Sequence, residues 1–123
     1  MVQLRPHLSL TDFTVQVQRQ RLTGYRLVYA ELSGCIVSVA GYRISENLYS
    51  GRHLYVDDLV TDEAHRSTGA GSALFEHLVQ LAKENGCHEL HLDSGVQRFG
   101  AHRFYLAKRM DITCHHFAMK LTP

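Results

Sequence analysis

The clearest periodicity in the chain runs from Ser72 to Asn85, where apolar residues fall at Leu74, Leu78 and Leu81 and again at Phe75, Val79 and Ala82. That spacing predicts an amphipathic helix with a broad buried stripe, and Gly86 is suited to end it. A second helical pattern covers residues 9–22, with Phe13, Val17 and Gln20 or Arg21 on one face, Ser9 or Thr11 as cap, and Gly24 as terminator. Residues 25–32 (YRLVYAEL) and 35–44 (CIVSVAGYRI) are β-branched and aromatic. The Ser33-Gly34 pair between them predicts a tight turn and an antiparallel hairpin. Residues 45–52 read as loop and 53–61 (HLYVDDLVT) as a strand. Beyond the strong helix, residues 88–93 read as a short strand, 98–109 as a helix and 111–121 (DITCHHFAMKL) as a last strand. The order α-β-β-β-α-β-α-β implies an α/β (α+β) fold, a mixed central sheet flanked by helices.

The chain has 123 residues, enough for one domain over residues 1–123. Apolar residues make up 45% and charged residues 20%, a composition that excludes disorder. Thirteen Lys and Arg against twelve Asp and Glu leave no broad basic face, so nucleic acid is not an expected partner. No run approaches the 18 apolar residues of a membrane span, so no membrane partner is expected either. Three cysteines, Cys35, Cys87 and Cys114, are odd in number and form no CxxC pair, which points to free thiols and a cytoplasmic setting. Nine histidines raise the question of a metal. His88-x-x-His91 and Cys114-His115-His116 fall on expected strands, where neighbouring side chains diverge, so no metal site is expected.

The segment with chemical content runs from Val60 through Asp62, Arg66, Ser67, Thr68, Gly69 and Ala70 to Gly71 and Ser72, leaving a strand and entering the strong helix. Unpaired backbone N–H groups and the positive end of the helix dipole favour an anion at such a junction. Glycines let a phosphate approach the backbone, and Arg66 adds a charged donor. A P-loop would need a Lys that this loop lacks, and a dinucleotide fingerprint would need a third glycine where Leu74 stands. The remaining pattern is Arg66-x-x-Gly69-x-Gly71.

That pattern resembles the acetyl-CoA pyrophosphate loop of the GNAT superfamily of N-acyltransferases. Two neighbouring segments strengthen the resemblance, which covers residues 25–121. Tyr55-Val56-Asp57-Asp58-Leu59-Val60 is similar to the acidic-then-hydrophobic end of the central GNAT strand, and Ala101-His102-Arg103-Phe104-Tyr105 to the A-x-x-F-Y motif of the later helix. The chain departs from the family pattern in lacking its usual first strand and first helix. It also has Arg98 where Asn is common, and Lys108-Arg109-Met110-Asp111 where K-x-G-F is common.

The resemblance implies an N-acetyltransferase that moves an acetyl group from acetyl-CoA, as co-substrate, to a primary amine. Arg66, Ser67, Thr68, Gly69, Ala70, Gly71 and Ser72 would hold the pyrophosphate. The main chain of Leu59, Val60 and Thr61 would pair with the pantetheine arm as β-augmentation does. Tyr105 would protonate the departing thiolate. Asp57 is the favoured base and Asp58 an acceptor-amine contact or structural cap, with Glu31 in reserve. The two acids are adjacent on a strand, so at most one faces the thioester. Two other readings stand beside this one: a non-catalytic acyl-CoA-binding regulatory module, and an anion- or metal-binding interaction domain. The apolar end (Phe117, Met119, Leu121) is compatible with a homodimer.

Overall fold

The computed structural model describes all 123 residues and contains two compact units, Met1–Leu92 and Asp93–Pro123. In the first unit, helix α1 (Leu10–Arg21) precedes strands β1 (Arg26–Leu32), β2 (Cys35–Asn47) and β3 (Gly51–Thr61). A 3-10 turn (Glu63–His65), helix α2 (Ala70–Glu84) and strand β4 (Glu89–Leu92) complete it. The sheet order is β1-β2-β3-β4. The first three strands are antiparallel, and β4 returns parallel to β3 through the α2 crossover. The expected mixed sheet is therefore present, with β2 and β3 longer than the sequence suggests. Residues 45–47 and 51–52, expected as loop, belong to the ladder, with Ser45 opposite His53, Glu46 opposite Arg52 and Asn47 opposite Gly51. Asn47 Oδ1 accepts from the Ser50 backbone N–H at 2.9 Å, so an Asx turn replaces the longer loop.

The core forms where α2 lies on the sheet. Leu74, Leu78 and Ala82 from the helix pack with Ala40, Tyr42, Leu54 and Val56 from β2 and β3. Of the stripe expected from the sequence, Leu74, Phe75, Leu78 and Ala82 are buried, and Val79 and Leu81 are half-buried. Helix α1 behaves differently: Ser9 caps it, its Oγ accepting from Asp12 N–H at 3.0 Å, yet none of its residues is buried. Phe13, Gln16, Val17 and Gln20 form a half-buried stripe instead.

In the second unit, α3 (Phe99–Ala107) matches the expected helix. Residues 111–121 form no strand, contrary to the expectation from their composition. A strand needs a partner ladder as well as suitable side chains, and this unit holds no other strand to supply one. Phe117, Met119 and Leu121 are accordingly exposed. No helix in the structure is long and apolar enough to cross a membrane.

Candidate functional site

Strand β4 ends at Leu92, opposite Val56. Strand β3 continues for five more residues, from Asp57 to Thr61, with β2 on its other side up to the Ser38–Thr61 pair. The register slips between Gly41 and Tyr42, which face Asp58 and Val56, leaving Asp57 as the extra residue of a β-bulge. A bulge turns the strand and redirects the side chains around it. Leu59, Val60 and Thr61 thus carry main-chain groups along an edge that β4 does not reach.

The chain then turns sharply. Asp62 N–H donates to Val37 O at 2.8 Å, and Asp62 caps the 3-10 turn by accepting from Ala64 N–H at 3.3 Å. The Gln3 side-chain amide, the Ala64 N–H and His65 all donate to its carboxylate, which lowers the Asp62 pKa below the usual range. Ser67 and Gly69 take positive φ values of 71° and 85°. Gly69 stands at the N-cap of α2 with no side-chain cap, and the first turn of the helix contains no acidic residue. The helix thus starts without a capping side chain and without a first-turn carboxylate, the arrangement that suits an anion. Arg66 is exposed at the same loop.

The two glycines have different physical reasons. A Cβ at Gly69 would meet nothing within 4 Å, so the requirement there is the left-handed backbone alone. A Cβ at Gly71 would lie 2.7 Å from Thr61 Oγ1, so the requirement is room where the strand end passes the helix start. Thr61 is itself tied to β2, its Oγ1 3.1 Å from Ser38 Oγ, which also donates to Val60 O at 3.1 Å. Loop, strand end and helix start are one braced piece.

The two aspartates go to different partners. Asp57 Oδ2 accepts from Arg43 Nε at 3.0 Å. Asp58 Oδ1 accepts from Arg5 Nε at 2.9 Å, and Asp58 Oδ2 from the Tyr25 hydroxyl at 2.6 Å. Arg5 Nη2 also donates to Asp57 O at 3.1 Å. Tyr25 is 2% exposed, and burial first, then the hydrogen bond to Asp58, pushes its phenol far above the usual range. It is a fixed donor to Asp58 at any physiological pH. Asp58 lines a cleft of about 290 Å³ whose polar end includes Arg5 and Tyr25 and whose apolar wall includes Phe13 and Val17. Glu31 lies exposed on β1, two strands away from β3.

Arg5 and Tyr25 are not among the site residues expected from the sequence. Nothing in residues 1–8 signals a role for Arg5. Tyr25 carried a usable signal, since a tyrosine buried after a helix-ending glycine needs a partner for its hydroxyl. In the second unit, Tyr105 is half-buried on α3, packed edge-on against Phe104 with ring centroids 5.6 Å apart. Burial raises its phenol pKa, and Arg98 pulls it partly back.

Comparison with known proteins places this geometry in context. A model of the acetyltransferase (GNAT) family matches residues 3–110. The chain is 32% identical over 104 residues to the uncharacterized N-acetyltransferase YhdJ of Bacillus subtilis strain 168, spanning 80% of this chain and 73% of that protein. A solved structure described as a transcriptional regulator from Bacillus halodurans C-125 superposes with a TM-score of 0.80 at 24% identity, over 94% of this chain and 79% of that one. An aminoglycoside N-acetyltransferase in complex with CoA superposes with a TM-score of 0.73 at 12% identity, over 89% of this chain and 91% of that one. At these identities the two structures show a shared fold.

A methyl group at Gly41 would run into the Tyr25 phenol, which is buried and hydrogen-bonded. Gly41→Ala is expected to cost about 1–3 kcal/mol by overpacking. Urea denaturation should show that loss shrink to a few tenths in a Tyr25→Ala background; an unchanged loss there would mean the ring is not its cause.

Proposed function

Because the chain belongs to the GNAT acetyltransferase family, we propose that it is an acetyl-CoA-dependent N-acetyltransferase acting on a primary amine of a small molecule or protein. The observation that carries this reading is the start of α2: a left-handed Gly69 cap with no capping side chain and no first-turn acid, braced against the end of β3. Those groups fit a diphosphate. Arg66 supplies a charged donor and the backbone N–H groups of Ser67, Gly69, Ala70 and Gly71 supply the fixed ones, while Thr68, whose N–H and hydroxyl both donate to His65 O, braces the turn and Ser72 completes the first turn of the helix.

Leu59, Val60 and Thr61 extend past β4 and offer main-chain donors and acceptors to an extended pantetheine arm. Bound acetyl-CoA supplies the acetyl group as a thioester. A strand N–H among these three residues polarises the thioester carbonyl. An alkylammonium with a pKa of about 10 must lose its proton before it can attack. The Asp57 carboxylate takes that proton, directly or through water, and Asp58 holds the amine from the neighbouring cleft. Tyr105 Oη gives a proton to the departing sulfur; the burial that raises its pKa keeps the phenol protonated until then. A cytoplasmic setting fits the three free cysteines.

The non-catalytic acyl-CoA-binding reading draws on one specific feature. Both aspartates are ion-paired, Asp57 with Arg43 and Asp58 with Arg5, so each carboxylate already has a cationic partner within the chain.

Gly69→Val probes the donor site. Forcing a β-branched residue to the observed φ should cost about 1–2 kcal/mol of stability. Acetyl-CoA affinity, measured by calorimetry on the folded variant, should fall by at least about tenfold because the cradle itself is distorted. Normal affinity would reduce Gly69 to a turn residue. Tyr105→Phe separates binding from chemistry. Acetyl-CoA affinity should be kept, while amine-dependent release of free thiol should slow by about 10²–10³-fold. Turnover at the wild-type rate would remove the acid role. Acetyl-CoA binding without turnover of any amine would favour the non-catalytic module.

A further inference from the structure

The cleft beside Asp58 carries charges of both signs in direct contact. Arg5 Nη2 lies 2.9 Å from Asp58 Oδ1, and His7 lines the same cleft. Arg5 spends Nε on Asp58 and Nη2 on Asp57 O and Asp58, which leaves the N–H groups of Nη1 for a ligand. Asp58 takes Arg5 Nε and Nη2 on Oδ1 and the Tyr25 hydroxyl on Oδ2, and a carboxylate has about four acceptor positions, so one on Oδ2 is left for an ammonium. A diamine or polyamine would set a second cation against Arg5. A plain amine would leave Arg5 Nη1 without an acceptor.

An acceptor that brings one cation and one anion close together satisfies both groups. We infer that the acceptor is a small apolar α-amino acid, its amine at Asp58, its carboxylate at Arg5 and its side chain against Phe13 and Val17. The adjacency of Arg5 and Asp58 selects the α-amine, because the ligand's two charges must be as close together as theirs. This assignment rests on the proposed acetyl transfer. In that reaction Asp57 takes one ammonium proton and passes it to solvent, the amino-acid nitrogen bonds to the acetyl carbon, the carbon–sulfur bond breaks, Tyr105 protonates the sulfur so that CoA leaves as the thiol, and the second nitrogen proton restores the phenol. Arg5 is then a specificity-determining residue: it binds the carboxylate and takes no part in proton transfer.

The test follows thiol release from acetyl-CoA with the full chain and matched acceptors: leucine against 3-methylbutylamine, phenylalanine against 2-phenylethylamine, and spermidine. Charge-assisted hydrogen bonds to a half-exposed guanidinium should favour each amino acid over its decarboxylated partner by at least about tenfold in kcat/KM. Arg5→Gln should bring that ratio to within about threefold by raising KM for the amino acid while kcat is kept, and Arg5→Lys should restore part of it. Should Arg5→Gln fail to fold, as a melting curve would show, the wild-type ratios decide alone. Equal use of the paired acceptors, or turnover of spermidine but of no amino acid, would overturn this inference and leave acetyl transfer standing. Acetyl-CoA binding with no acceptor turned over would overturn both.

Discussion

Strand β3 outruns its parallel neighbour. β4 stops at Leu92 opposite Val56, and from Asp57 onward β3 is held by β2 alone. The bulge at Asp57 falls at this transition, where the strand changes from a two-sided to a one-sided ladder. Both features of the site follow. The main chain of residues 59–61 runs along an edge that β4 does not reach, and the two aspartates, one in the bulge and one next to it, reach different partners. A four-residue β4 is short for a strand, but its shortness exposes the edge that an extended ligand could use.

The start of α2 is built on the same strand. Thr61 ends β3, contacts Ser38 on β2 and leaves no room for a side chain at Gly71. The position of the helix N-terminus is therefore set by the strand end, and the two potential ligand surfaces move together. Such bracing matters because a cradle of backbone N–H groups works through preorganisation: its donors hold their positions before any anion arrives.

Much of this was legible in the sequence. The α2 stripe, the Arg66-x-x-Gly69-x-Gly71 junction and the hairpin around Ser33-Gly34 are local signals, and local signals survive folding when a face is buried. The bulge at Asp57 was not legible, because it depends on register against Gly41 and Tyr42 rather than on the composition of 53–61. The partnership of Arg5 and Tyr25 with Asp58 spans more than thirty residues in sequence and has no periodic signature. The segment 111–121 shows the converse error: strand-like side chains without a ladder to join do not make a strand. Helix α1 was read correctly as an element, but its half-buried stripe of Phe13, Gln16, Val17 and Gln20 means something other than core. Phe13, Gln16, Val17 and Gln20 line a cleft.

The end of β3 and the start of α2 together form the proposed acyl-CoA site. Backbone amide resonances followed during titration with acetyl-CoA test it most directly. The account predicts the largest shifts at Leu59, Val60 and Thr61 and at residues 67–72, saturating at one common dissociation constant. Large shifts confined to other parts of the chain, or no shift at millimolar acetyl-CoA, would contradict it.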